Sequence, residues 1–256
     1  NNKIQVTVTV HPLPPVGLSA GDPVLCLGES TTLTASGASS YAWSHGLGTG
    51  NSKTVSPGTT TTYSVTGTDG NGCTGTAQVT ITVHSLPPVG LSAGDPVLCQ
   101  GESTTLTASG ASIYTWSHGL GAGTLKIVSP TVTTTYTVTG TDANGCSATD
   151  EVTITVNPLP PVALSAGDPV LCHGESTTLT ASGASGYTWS HGLGVGTLKT
   201  VNPTATTTYS VTGTDANGCS ATDEVVITVN PLPPVALSAS QNSLCLGEST
   251  TLTASG

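Results

Sequence analysis

The chain has 256 residues, of which 7% are charged, with four Lys, no Arg, fourteen Asp or Glu and a formal net charge of -10. This balance excludes a nucleic-acid binder, which needs clustered Lys and Arg to neutralise phosphates, and it offers no cationic surface to an anionic membrane. No apolar run approaches the roughly 20 residues of a spanning helix, and the dominance of Thr, Ser, Gly and Val points to antiparallel sheet with tight turns and near-zero helix.

The cysteines mark a repeat. Cys26, Cys99, Cys172 and Cys245 stand 73 residues apart, as do Cys73, Cys146 and Cys219. An array of small units is poor at making one active cleft and good at making length. Residues 1–10 read as the last strand of a preceding repeat, 11–83, 84–156 and 157–229 as three complete repeats, and 230–256 as the first strands of a truncated fourth. Asn1 aligns with Thr74 and Gly256 with Gly37, so the chain reads as a window in a longer protein.

In chain order, each repeat opens on a proline linker: His11 to Pro15, then His84 to Pro88, Asn157 to Pro161 and Asn230 to Pro234. Paired prolines hold the backbone near polyproline II, so these linkers are expected to be short and stiff. A short strand from Val16 to Ala20 follows, then a kink at Gly21-Asp22-Pro23 and a tight turn at Gly28. Glu29 to Ser36 alternates, with Leu33 and Ala35 on one face and Thr32 and Thr34 on the other, as a half-buried strand does. Tyr41-Ala-Trp43-Ser repeats the pattern, which makes Trp43, Trp116 and Trp189 the expected core anchors. Gly46 to Gly50 reads as a loop and Thr54 to Ser56 as a short strand ended by Pro57. Thr62 to Asp69 reads as a longer strand, with Tyr63, and Tyr136 and Tyr209 after it, pointing inward. Asp69-Gly-Asn71-Gly72 is a hairpin turn, and Gln78 to Val83 returns as the last strand.

About seven short strands per unit, with an aromatic on the third and a Tyr opening the penultimate one, make the profile of an immunoglobulin-like β-sandwich. The expected fold class is therefore all-β, a tandem array of such sandwiches. The motif set is Cys-x-Gly-Glu-Ser-Thr-Thr-Leu-Thr-Ala-Ser-Gly, Tyr-x-Trp-Ser, and Thr-Thr-Thr-Tyr-x-Val-Thr-Gly-Thr-Asp-x-Asn-Gly-Cys. It resembles the tandem Ig-like and PKD-like repeats of large secreted surface proteins of the Bacteroidota. That resemblance implies an extracellular or cell-surface location, export by the type IX route, and roles in adhesion, gliding or matrix.

Seven cysteines at fixed places in a low-charge, Thr-rich chain also suit an oxidising setting. A unit of about 70 residues buries a modest core and gains from staples or neighbours. Three arrangements are open: pairing within a repeat, as Cys26 with Cys73; pairing between neighbours, as Cys26 with Cys146 and Cys99 with Cys219; and reduced or intermolecular thiols. In a sandwich of this topology the turn at Cys26 to Gly28 and the hairpin at Asn71 to Cys73 lie at opposite ends of strands roughly 25 Å long. Bridged Cα atoms must approach within about 7 Å. Pairing between neighbours is favoured on that ground, and it leaves Cys73, Cys172 and Cys245 with partners outside the chain.

Other chemistry is weakly signalled. His45, His118 and His191 occur once per repeat in Trp-Ser-His-Gly-Leu-Gly, with no second ligand type at metal spacing. Asp69, Asp142 and Asp215 open turns that start like a calcium loop but lack the carboxylate at its twelfth position. Asp22, Asp95 and Asp168, with Glu29 and its equivalents, are a weak candidate for a surface cation. No Ser or Thr sits in a nucleophile motif such as Gly-x-Ser-x-Gly, and the Gly-rich loops lack the Lys and helix of a phosphate loop. Hence no catalytic, cofactor or metal site is expected. The reading is a non-catalytic structural rod or filament segment, with glycan or protein adhesion through domain loops as the alternative. Its expected partners are neighbouring repeats, self-association into filaments or such a target, without nucleic acid or membrane insertion.

Overall fold

The structure is a computed structural model, and it describes residues 4–256. Among these residues there is no helix; every regular element is a strand. The first repeat contains β1 (Gly17–Ala20), β2 (Val24–Cys26), β3 (Thr31–Ser36), β4 (Ser40–Trp43), β5 (Gly48–Thr49), β6 (Ser52–Val55), β7 (Thr61–Thr68) and β8 (Thr74–His84). They form two sheets, one ordered β1-β3-β6 and the other β2-β8-β7-β4-β5. The chain crosses between sheets from β3 to β4 and again from β6 to β7, the Greek-key habit of immunoglobulin-like sandwiches. The same elements recur from Ala163–Ala166 to Ser220–Asn230, and from Gly90–Ala93 to Ser147–Asn157 except that the counterpart of β5 is reduced to a single bridge between Thr115 and Ala122. The fold is thus an all-β tandem array of immunoglobulin-like sandwiches.

Alternation places the core. Along β3, Thr31, Leu33 and Ala35 are buried while Thr32, Thr34 and Ser36 face water. From the opposite sheet Trp43, Tyr63, Val65 and Ile81 meet Leu33 and Val55 in one cluster. The third repeat builds its counterpart from Leu179, Trp189, Val201, Tyr209, Val211 and Ile227. In the second, Leu106, Trp116, Tyr136, Val138 and Ile154 are likewise buried. All six aromatic anchors therefore face inward, none more than 7% exposed. The indole of each Trp donates to a backbone carbonyl, as Trp43 Nε1 does to Gly50 at 2.6 Å, so burial strands no donor.

Two glycine positions are demanded by packing. In β7, Gly67 lies under the Tyr41 ring, where a Cβ would sit 2.6 Å from both Ala38 Cβ and Val16 Cγ2. Gly37, at φ +86, closes β3 against the linker, and a Cβ there would collide with the Pro15 carbonyl. The linker is also hooked on itself, because the Val16 N–H donates to Pro14 O at 2.9 Å, with counterparts at Val89 and Val162.

Several sequence expectations need correction. Val24–Cys26, read only as the stretch between a kink and a turn, is a strand that pairs in parallel with the end of β8. Gly48–Thr49, read as loop, pairs with β4 at Ala42 and Trp43. The last strand begins at Thr74 rather than Gln78. Only Gly72 of the Asp69-Gly-Asn-Gly turn takes a positive φ; Asn71 does not. Residues 4–10, part of the expected last strand of a preceding repeat, form no strand and are exposed. Their equivalents at the end of β8 pair with β7. Residues 1–3 of that expected strand lie outside the described residues. In the last segment, Ala236–Ala239 and Leu252–Ser255 pair as an antiparallel ladder.

By contact density the chain divides into two compact units. One comprises Asn1–Pro96, Thr104–Val128 and Thr135–Ile154; the other comprises Val97–Ser103, Ser129–Thr134 and Thr155–Gly256.

Candidate functional site

The residues that recur with chemistry attached are the cysteines, and two different local devices present them. Cys26 ends β2, opposite His84 of β8, and the Leu27 N–H donates to the His84 carbonyl at 2.8 Å. The chain then turns through Gly28, at φ +96. Glu29 closes this turn twice: its N–H donates to the Cys26 carbonyl at 3.0 Å, and its Oε2 accepts from the Cys26 N–H at 2.8 Å. Glu102, Glu175 and Glu248 do the same for Cys99, Cys172 and Cys245. A charged acceptor strengthens such a bond and holds the cysteine backbone in place.

The second device is the turn after β7. Asp142 Oδ1 accepts from the Asn144 N–H at 2.8 Å and from the Cys146 N–H at 2.9 Å, and the Asp142 N–H donates to the Cys146 carbonyl at 2.9 Å. Asp69 and Asp215 repeat the arrangement before Cys73 and Cys219. At Asp69 and Asp142 these bonds lower the carboxyl pKa. At Asp69 the leading cause is the N–H of Cys73, which holds the group below the ordinary 3.8. At Asp142 desolvation leads and pushes upward, but the N–H groups of Cys146 and Asn144 outweigh it, so the net shift is again down from 3.8.

The two devices meet across repeats. Cys26 is bonded to Cys146 and Cys99 to Cys219, each with Cα atoms 5.5 Å apart and a sequence separation of 120. Each bridge lies inside one compact unit. Cys146 is 1% exposed and Cys219 fully buried. Cys73, Cys172 and Cys245 are free among the described residues. Within one repeat the geometry forbids a bond. Cys26 lies beside His84 and Cys73 precedes Thr74, so the length of β8 separates them. At about 3.3 Å per residue that is about 33 Å.

The other candidates are used locally. Asp22 Oδ1 accepts from the Val24 N–H at 3.0 Å, and Glu29 is committed to Cys26. Among the described residues no three His, Cys, Asp or Glu side chains gather as a metal site would require. Among the described residues His45, His118 and His191 are the non-glycine residues with positive φ, near 55°. In each the ring packs on a core tyrosine, His45 on Tyr63 at a centroid distance of 5.1 Å, while Nδ1 lies 2.9 Å from Ser44 Oγ. That hydroxyl also accepts from the Ser64 N–H, tying the end of β4 to β7. A shallow groove bounded by Ser39, Ser40, Tyr41, Thr49 and Asn51 contains no carboxylate, imidazole or thiol. Sequence reasoning missed the role of Glu29; its signal was the unbroken Cys-x-Gly-Glu spacing at all four sites.

No protein-family model matches the chain, and no curated protein matches it. Among solved structures it is similar to three immunoglobulin domains of titin, at 14% identity over 86% of this chain and 100% of that one, with a TM-score of 0.40. It is also similar to a structure from a 1.5-MDa bacterial ice-binding adhesin, at 16% identity over 87% and 100%, with a TM-score of 0.29. A four-domain ectodomain fragment of ICAM-5 aligns at 15% identity over 84% and 76%, with a TM-score of 0.42. The assignment of the fold rests on the strand pairing itself.

Proposed function

We propose that this chain is a non-catalytic, load-bearing segment of an extracellular or cell-surface protein, of the Ig-like and PKD-like repeat type found in large secreted surface proteins of the Bacteroidota. Its neighbours in that role are further repeats of its own kind, and the domain boundaries are the proline linkers at residues 84–88, 157–161 and 230–234. The observation that carries the reading is the offset bridging, in which Cys26 is bonded to Cys146 and Cys99 to Cys219 across successive repeats. A purely stabilising staple closes a loop within one domain; these bridges instead add a second covalent connection at the junctions at 84–88 and 157–161. Loops of this length add up to about 5 kcal/mol each in the chain-entropy account. The aromatic side chains that a glycan platform would display are spent on the core, with Trp43 7% and Tyr63 6% exposed.

Single-molecule pulling from the two ends tests this. Along the backbone Cys26 and Cys219 are 193 residues apart, about 680 Å when extended at about 3.5 Å per residue. With both bridges closed only 73 residues separate them, about 260 Å. The oxidised chain is expected to stop short of the reduced chain by the difference, about 420 Å. Equal extension in both conditions, or unfolding at forces no higher than those of a bridge-free variant, would remove the load-bearing reading.

A further inference from the structure

Each complete linker between the bridged repeats is bypassed by a single disulfide. The linker at 84–88 lies in the loop closed by Cys26–Cys146, and the linker at 157–161 lies in the loop closed by Cys99–Cys219. Because the loops overlap between Cys99 and Cys146, every peptide bond from Cys26 to Cys219 falls inside at least one of them. Pairing within repeats would leave residues 74–98 and 147–171 uncovered, and both linkers fall there. Those linkers are also where a protease finds accessible backbone. Ser85, Leu86, Pro158 and Leu159 are exposed and belong to no strand, and exposed segments without pairing are preferred sites of nicking.

We infer that the offset bridges make this stretch tolerant of backbone scission: one cut anywhere between Cys26 and Cys219 leaves a single covalent molecule. Hydrolysis by an external protease adds one water across a peptide C–N bond and leaves both disulfides intact, so no oxidant or reductant takes part. The tolerance extends to tension. Two covalent routes join Cys26 to Cys219, one along the backbone to Cys99 and over its bridge, the other over the first bridge to Cys146 and along the backbone. Each contains 73 residues because the bridges are offset by one repeat. Both arms therefore tighten together, and a cut in either leaves the other whole. This inference stands on the pairing alone and does not need the load-bearing reading. Low unfolding forces in the pulling experiment would leave it intact.

The test places the recognition sequence of a site-specific protease in the linker at 84–88, 157–161 or 230–234 of the full chain, and follows cleavage on denaturing gels. Cuts at the first two are expected to leave one species that separates only when reductant is added. The cut at 230–234, beyond Cys219, is expected to separate at once. Cys99→Ser is expected to make the 157–161 cut separating while the 84–88 cut stays joined, and Cys26→Ser to do the reverse. Cys219→Ser removes the same bridge as Cys99→Ser from its other end, which guards against a substitution that misfolds its own turn. Separation of linker-cut pieces without reductant in the otherwise unaltered chain, or retention of the 157–161 pieces in Cys99→Ser, would overturn the inference.

Discussion

The turns that end in Cys73 and Cys146 share the Asp-x-Asn-Gly-Cys pattern and the same internal hydrogen bonds, with Asp69 Oδ1 2.8 Å from the Cys73 N–H and Asp142 Oδ1 2.9 Å from the Cys146 N–H. Their cysteines nevertheless differ. Cys146 is 1% exposed and bonded to Cys26. Cys73 is half-buried and unbonded, its Sγ 4.0 Å from the His11 carbonyl. Turn geometry is therefore a property of the single repeat, while burial of the thiol comes from the adjacent one.

The most forceful way to break this contrast is Cys26→Ser, which should convert the second turn into the first. The expected loss is up to about 5 kcal/mol, read by non-reducing urea denaturation. Cys146 should become open to alkylation as Cys73 is, while Cys219 stays protected; continued protection of Cys146 would mean that its burial is intrinsic to its own repeat. Trp116→Ala attacks the repeat rather than the bridge. Deleting a buried indole costs about 3–5 kcal/mol, and the second repeat should unfold in a separate transition while fluorescence from Trp43 and Trp189 reports the others intact. A single shared transition would show that the repeats do not keep their own cores.

Smaller changes sharpen the comparison at the other end of the bridge. Glu102→Ala removes the acceptor of the Cys99 N–H at 2.7 Å and should cost on the order of 1 kcal/mol, with faster thiol exchange at Cys99–Cys219 than at Cys26–Cys146. Equal exchange rates would deny Glu102 a role in holding Cys99. The smallest effect is that of acid. Asp69 and Asp142 have folded pKa values below 3.8, so their contribution is present above 3.8 and lost as pH falls through those depressed values. Thermal midpoints should drop in that range, and Asp142→Asn should flatten the drop. An unchanged acid profile in Asp142→Asn would deny that the turn carboxylate contributes.

Strands long enough to alternate several times were the legible part of this fold. Thr31–Ser36 advertises its two faces, and the alternation from Thr62 onward does the same for β7, because half-buried strands repeat every second residue. Val24–Cys26 and Gly48–Thr49 were not legible, being too short to alternate and defined by partners distant in sequence or supplied by a turn. Residues 4–10 carry the converse lesson. Ile-Gln-Val-Thr-Val-Thr-Val alternates well and yet forms no strand, so alternation alone does not place a strand. For the cysteines, spacing alone defined two families at one period and was silent about who bonds whom. Only the placement of strand ends distinguishes the pairings, and Glu29 went unseen because its role is a backbone bond rather than a motif chemistry.

The length of β8 has a consequence for how the chain is made. As the polypeptide emerges from its amino terminus, the first cysteine to follow Cys26 is Cys73, 47 residues on, whereas its bonded partner arrives after 120. Random closure of the shorter loop is favoured by about 0.8 kcal/mol, so an oxidant acting on unfolded chain would trap the wrong pair. A repeat that folds first removes that choice, because its own last strand becomes a ruler holding the early thiol out of reach until the next repeat delivers the right one.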